Sequence, residues 1–288
     1  MQVEYRFMAE IVETMAESIQ GGLVLATQVA RETSVRQSPN GIHFAVFGDT
    51  GLDEAELARM VQAVPSAVSA ALDRKIYYFV PLAMAEGRSA EAAGHRSGNE
   101  STMVSPGYTA DLADLAICHR NVALAARADL GQVDGEGVFI STRLLSDRFS
   151  LAFEFFINVG HAFVDEAGVS ESFAELAWHQ AVADVRGETS QDAWESRALA
   201  LGGGENAIRD GKPRTDEKAK TDFLDAAFSD AVAIYLLSLS VDFDYSELRE
   251  REYPLLAPQA LADRLRLVAR LFPPNPDYEF AIRYRRRA

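Results

Sequence analysis

The chain has 288 residues, 48% of them hydrophobic and 25% charged, an ordinary globular composition with room for one large domain or two small ones. A net charge of −15 and a pI near 4.8 work against non-specific binding to DNA or RNA, so no nucleic-acid partner is expected. The single cysteine, Cys118, excludes an internal disulfide and fits a reducing, cytoplasmic setting.

The opening MQVEYRFMAE has no basic stretch followed by an apolar one, so no signal peptide is expected. No run approaches ~18 uninterrupted apolar residues, so no membrane span is expected either. Met8, Ile11, Val12, Met15 and Ile19 recur at helical spacing and predict a first amphipathic helix, broken by Gly21-Gly22. A second helical stretch runs from Leu23 to about Glu32. These first 35 residues read as a helical segment packed on one domain of residues 36–288.

Arg36 to Gly41 reads as a loop. Ile42, Phe44 and Val46 alternate as in a strand, and Gly48-Asp49-Thr50-Gly51 is turn chemistry. Leu57, Met60, Val61, Val64, Val68 and Leu72 trace one face of a helix that Pro65 should kink or restart. Lys75 to Val80 is a second strand, rich in β-formers. Glu86 to Gly107 is polar and reads as a loop over one face of the fold. Leu112 to Ala126 is weakly helical, and Gly137 to Ser141 is a third strand. A helix from about Arg148 to Asp165 should stop near Gly168.

Arg186 to Lys220 is polar. Its Gly202-Gly203-Gly204 and Gly211-Lys212 resemble a phosphate-binding loop only superficially, because Asn206 and Pro213 stand where that loop needs glycine and Ser or Thr. Thr221 to Leu237 is a strong helix. Leu261, Leu265, Val268 and Phe272 mark a last one, stopped by Pro273-Pro274. The arginines Arg283, Arg285, Arg286 and Arg287 read as a solvated tail. Strands early and long helices late predict an α+β fold.

One helix carries unusual chemistry: Phe155-Phe156-Ile157-Asn158-Val159-Gly160-His161-Ala162. At 3.6 residues per turn, Glu154, Ile157, Asn158, His161 and Asp165 share an arc of roughly 100°. A polar stripe on a helix flanked by Phe153, Phe155 and Phe156 must face a partner, a wet cleft or the surface, because an unbonded buried polar group costs ~1–3 kcal/mol.

Gly160-His161-Ala162, then Asp165 and Ala167-Gly168, resemble the metal helix of zincin peptidases, especially their anthrax lethal factor-like branch. That helix reads His-Glu-x-Gly-His-Ala. Thr221-Asp222-Phe223-Leu224-Asp225-Ala226-Ala227-Phe228 is similar to the family's second helix, with Asp222 in place of the metal-binding glutamate. The resemblance implies a zincin-like fold: a small mixed sheet packed on the long motif helix, followed by a mostly helical C-terminal half. It also implies a cleft edged by the third strand, so that Phe139 and Ser141 join Glu154 and Asp165 as candidate substrate-binding residues.

The departures from the family pattern decide the chemistry. Ile157 replaces the first histidine and Asn158 the catalytic glutamate. A catalytic zinc uses three protein ligands and a water. General-base help alone is worth ~10²–10⁴-fold. The expectation is therefore no metal and no cofactor, and a small-molecule or peptide-like ligand in the inherited cleft. His161 would be the acid/base, Asp222 the orienting carboxylate and Asn158 the hydrogen-bond donor to a carbonyl or oxyanion. The reaction would be of cyclisation, elimination or isomerisation type. Two other readings stand beside this one: a pseudo-peptidase that only binds a peptide or protein partner, and a zinc enzyme with substitute ligands such as His179 or Glu154. His161 alone also fits a structural histidine, and Asp222 an N-cap or first-turn carboxylate.

Overall fold

The computed structural model describes residues 22–85, 102–127, 133–145, 147–203, 208–209, 212–213, 215–248 and 253–282. The expected helix through Met8–Ile19, most of the Glu86–Gly107 loop and the arginine tail lie outside them. The fold is mixed α+β. The described residues divide into two compact units. One draws on those up to Leu57 and between Asp73 and Leu151, the other on those between Ala58 and Leu72 and from Ala152 onward.

The first unit holds β1 (Val24–Leu25), α1 (Ala26–Glu32), β2 (Arg36–Gln37), β3 (His43–Val46), β4 (Lys75–Val80), β5 (Leu82–Ala85), β6 (Thr102–Ser105), β7 (Ala116–Ile117), β8 (His119–Arg127) and β9 (Val133–Ser141). A five-stranded sheet has the order β2-β3-β4-β9-β8, and a four-stranded antiparallel sheet the order β1-β6-β5-β7. In the larger sheet β3, β4 and β9 run parallel, with antiparallel strands at both edges. Parallel strands are covered on both faces, which is why Ile76-Tyr77-Tyr78-Phe79-Val80 is an unbroken apolar run with every residue buried.

Ala26, Val29 and Ala30 of α1 pack into the same core as Ala45, Ile76, Tyr78, Val80 and Phe139. Tyr78 and Phe139 stack at 4.6 Å and 7°. Gly137 makes room for that stack, since a Cβ there would lie 3.0 Å from the Phe139 ring and 3.2 Å from Tyr78.

Leu112 to Ala126 is not helical as expected. Only Ala110–Ala113 forms a helical turn, and the rest becomes β7 and β8. Alanines at 123, 125 and 126 favour a helix locally, but pairing with β9 from His119↔Ile140 to Leu124↔Gly135 overrides that preference.

Two helices cross the division in sequence, α2 (Glu54–Gln62) and α3 (Arg148–Ala167). Pro65 ends the apolar stripe of α2 and caps a one-turn helix at Ser66–Ser69. Gly168, at φ +70°, closes α3 by donating its N–H to Val164 O at 2.8 Å. The second unit continues with α4 (Glu171–Val182), α5 (Gln191–Ala198), α6 (Glu217–Ser240) and α7 (Pro258–Leu271). Asp216 caps α6, accepting the Ala219 N–H at 3.1 Å. From Phe228 to Leu237 every residue of α6 is buried. Phe173 lies on Phe228 at 4.6 Å, and Phe163 meets Phe272 edge-on at 5.1 Å. Among the described residues α6 alone is long and apolar enough to cross a membrane, and 67% of its apolar window is buried inside the fold.

Candidate functional site

The site grows from a close approach of α3 and α6. A Cβ on Gly160 would sit 2.5 Å from Ser229 O and 3.5 Å from the Ala233 methyl. Only glycine lets the two backbones come this near, and the neighbouring carbonyl cannot move aside cheaply. Gly160→Ala is therefore expected to destabilise the protein by about 1–3 kcal/mol in urea unfolding, despite alanine's better helix propensity. A neutral or stabilising outcome would mean that the helices part without strain.

The next residues along each helix carry the chemistry. His161 is exposed on α3, while Asp230 on α6 is buried. The Asp230 carboxylate accepts a 2.8 Å hydrogen bond from Thr189 Oγ1 and a second from Ser190. Burial pushes its pKa up to about 6, although Ser190, Thr189 and the positive charges of His161 and Arg264 all pull it down. Asp230 is thus a carboxyl tuned towards neutrality, held within electrostatic reach of an exposed imidazole.

A buried polar network supports it. Residues 186–190 lie along 254–257: Glu188 N–H donates to Pro254 O at 3.0 Å, and Leu256 N–H donates to Glu188 O at 2.9 Å. Gly187, at φ +81°, permits this, because a Cβ there would meet Leu255 O at 2.1 Å. The pairing turns Glu188, Thr189 and Ser190 towards α5, α6 and α7. Fully buried Glu188 takes both terminal nitrogens of fully buried Arg264, at 2.9 and 3.3 Å, and Arg197 Nη1 at 3.2 Å. Arg264 Nε donates to Gln180 Oε1 at 2.8 Å. Arg197 also binds the carbonyls of Val185, Gly187 and Ala181, tying α5 to the end of α4. The Tyr253 hydroxyl donates to Thr189 O at 3.1 Å.

The remaining expected residues divide. Asn158 is buried, and its Nδ2 donates to Glu154 O at 2.8 Å and Glu154 Oε1 at 3.4 Å, so that donor is used inside α3. Asp165 is exposed one turn beyond His161. Asp222 is exposed and paired with Lys218 at 2.7 Å. It is neither N-cap nor first turn, since α6 starts earlier, at Glu217. Asp225 has a raised pKa, from partial burial first and then from the negative charges of Asp222 and Asp165. Those three acids therefore gather where α3 meets α6. Asp230, further along α6, is a carboxyl whose pKa the charge of His161 lowers. Phe139 and Ser141 are 0% exposed in the first unit. Phe139 is stacked on Tyr78, and Ser141 Oγ accepts from Ala83 N–H and donates to Ile117 O. Neither residue therefore presents surface to a ligand.

Asp230, Thr189 and Glu188 are not among the residues singled out from the sequence. The signal for Asp230 was its position: a lone acid in the apolar run Ala226 to Leu237, with alanine or isoleucine at 226, 227, 233 and 234, so that no helix neighbour can pair with it.

These residues do not fit a peptidase zinc. Ile157 offers no donor atom, and the Asn158 amide nitrogen is bound to its own helix. His161 and Asp230 supply two donors where a catalytic zinc uses three and a water. Among the described residues no three His, Cys, Asp or Glu side chains gather where they could hold a metal. Comparison with family models, with curated proteins and with solved structures finds no match to the chain.

Proposed function

We propose that this protein is a zincin-type scaffold turned to metal-independent acid/base work on a small-molecule or peptide-like ligand. His161 and Asp230 form the working pair. What supports this reading is a buried carboxyl, Asp230, whose pKa burial pushes up to about 6, on the helix that α3 approaches most closely at Gly160 and within electrostatic reach of the exposed His161. Groups that hold and release protons near neutral pH suit general acid/base catalysis, and perturbed carboxyls cluster at functional sites. His161 meets the ligand from the solvent side. Asp230 supplies the buried carboxyl within its electrostatic reach. Glu154, Asn158 and Asp165 on α3 and Asp222 on α6 flank the pair, and the charge of Glu154 and Asp165 favours a ligand carrying hydrogen-bond donors. A cyclisation, elimination or isomerisation needs only such proton transfers. A reducing, cytoplasmic setting fits the exposed thiol of Cys118.

Two measurements test the pair. Because His161 pulls the Asp230 pKa down, His161→Ala should move the carboxyl titration midpoint above about 6, followed by carbon-13 NMR of labelled aspartate. An unmoved midpoint would separate the two residues. Elemental analysis of protein purified without chelator or histidine tag should find far less than one zinc per chain. Stoichiometric zinc that disappears in His161→Ala would overturn the metal-independent reading. For the activity, mass spectrometry of a small-molecule extract incubated with wild type, His161→Ala and Asp230→Asn should reveal a compound converted by wild type alone. Identical extracts would leave a binding role in place of catalysis.

A further inference from the structure

Two consecutive hydroxyls converge on the one buried carboxyl of α6. Thr189 Oγ1 donates to Asp230 Oδ2 at 2.8 Å, and Ser190 hydrogen-bonds the same carboxyl. An ionised carboxylate only accepts hydrogen bonds, so each hydroxyl that donates to it favours the ionised form.

The segment that carries these hydroxyls is held by other bonds. Glu188 ties it to Arg264 and Arg197, and its backbone pairs with Pro254 and Leu256. Thr189 O accepts from the Tyr253 hydroxyl at 3.1 Å. Ser190 is the N-cap of α5: its side-chain oxygen accepts the Ala193 N–H at 3.2 Å, and its carbonyl accepts the Trp194 N–H at 3.0 Å. None of those bonds uses the Thr189 hydroxyl, which goes to Asp230. Ser190 does two jobs at once, so replacing it disturbs α5 as well. The charged and titratable groups around the carboxyl are His161 of α3 and Arg264 of α7, with Glu188 and Tyr245 nearby. A change at the Thr189 side chain leaves all of them in place.

We propose that Thr189 is a positioning residue for the acid/base pair: its hydroxyl pins Asp230 Oδ2, and so sets where that carboxyl lies and how readily it gives up its proton. The inference rests on the acid/base reading of His161 and Asp230. It separates two residues that look alike in the fold. Ser190 shapes a helix end, whereas Thr189 acts on the carboxyl itself.

Carbon-13 NMR of the full chain with labelled aspartate tests it, the Asp230 signal being the one lost in Asp230→Asn. Thr189→Val keeps the side chain's shape and removes the donor. It should raise the Asp230 titration midpoint by about one pH unit, about a ten-fold change in acid dissociation. Thr189→Ser keeps the donor and should return the midpoint to the wild-type value. Where an extract compound is converted, the pH profile of conversion should move upward in the valine variant and back in the serine variant. An unmoved midpoint in Thr189→Val, or equal movement in the valine and serine variants, would overturn the proposal. Should Thr189→Val fail to fold, Thr189→Ala removes the same donor without placing a methyl group against the carboxylate, and the same rise is expected. The midpoint needs no substrate, so the two readings fail separately. An unmoved midpoint beside wild-type conversion removes the role of Thr189 alone. A raised midpoint in a protein that converts nothing supports the hold of Thr189 on Asp230 and removes the acid/base reading.

Discussion

Glu188→Ala will destabilise the protein by about 3–5 kcal/mol, the largest effect expected of any single substitution discussed. Glu188 is the anion shared by Arg264 and Arg197, whose side chains are 0% and 6% exposed. Removing it strands the Arg264 guanidinium in a dry interior and leaves Arg197 only Asp184, at 3.4 Å, as a counter-charge, and breaking a buried pair from one side costs about that much. Urea unfolding followed by circular dichroism measures it. A loss below about 1 kcal/mol would mean that water reaches the arginines when Glu188 is gone. Charge and packing are separable here. Exchanging Glu188, Arg197 and Arg264 together for leucine and methionine removes every stranded charge and should restore much of the stability, since whole buried ion clusters can often be replaced by apolar residues. If the triple variant is as unstable as the single one, the hydrogen bonds of Arg197 to Val185, Gly187 and Ala181 matter more than its charge.

Asp230→Asn should have the opposite sign at neutral pH. The ordinary carboxyl value is 3.8, and folding raises it to about 6. Below about pH 4 both folded and unfolded chains hold the proton, and Asp230 exerts no pH-dependent cost. Between about 4 and 6 the unfolded chain releases its proton while the folded chain keeps it, so stability falls as pH rises. Above about 6 both are ionised and the full cost is present. The gap corresponds to about 3 kcal/mol as an upper bound. The groups around Asp230 are Thr189 and Ser190 on the paired segment, His161 on α3 and Arg264 on α7, with Tyr245 and Glu188 nearby. Asparagine keeps the shape and removes the charge. The difference in unfolding free energy between variant and wild type should therefore grow across pH 4–6 and then level off. A flat difference would show that Asp230 titrates normally.

Much of the scaffold was legible in the sequence. Lys75–Val80 appears with its expected ends, because an unbroken β-branched and aromatic run has few alternatives. The helix of His161 begins and stops where its periodicity and Gly168 indicate. The polar network was not legible, and neither were two of the helices it joins, α4 and α5. α4 turns Gln180 inward and α5 turns Arg197 inward. With long polar side chains on their buried faces, neither helix has the continuous apolar stripe on which a periodicity reading depends. α5 and the Glu188–Ser190 segment therefore read only as part of a polar stretch. Asp230 was hidden for the complementary reason: its partners lie some forty residues upstream, within that same stretch. The resemblance to a metal helix drew attention to Asp222, but α6 starts too early for Asp222 to sit at its first turn.

Ser141 was expected at a cleft edge and instead joins two sheets. Its hydroxyl, at the end of β9 in the five-stranded sheet, accepts from Ala83 on β5 and donates to Ile117 on β7, while its own N–H reaches Cys118 O. Opening either sheet near this point breaks bonds that belong to the other. The two sheets should therefore exchange their amide hydrogens in one concerted event rather than strand by strand, and the first unit then frays from its short edge strand β2 rather than along the seam.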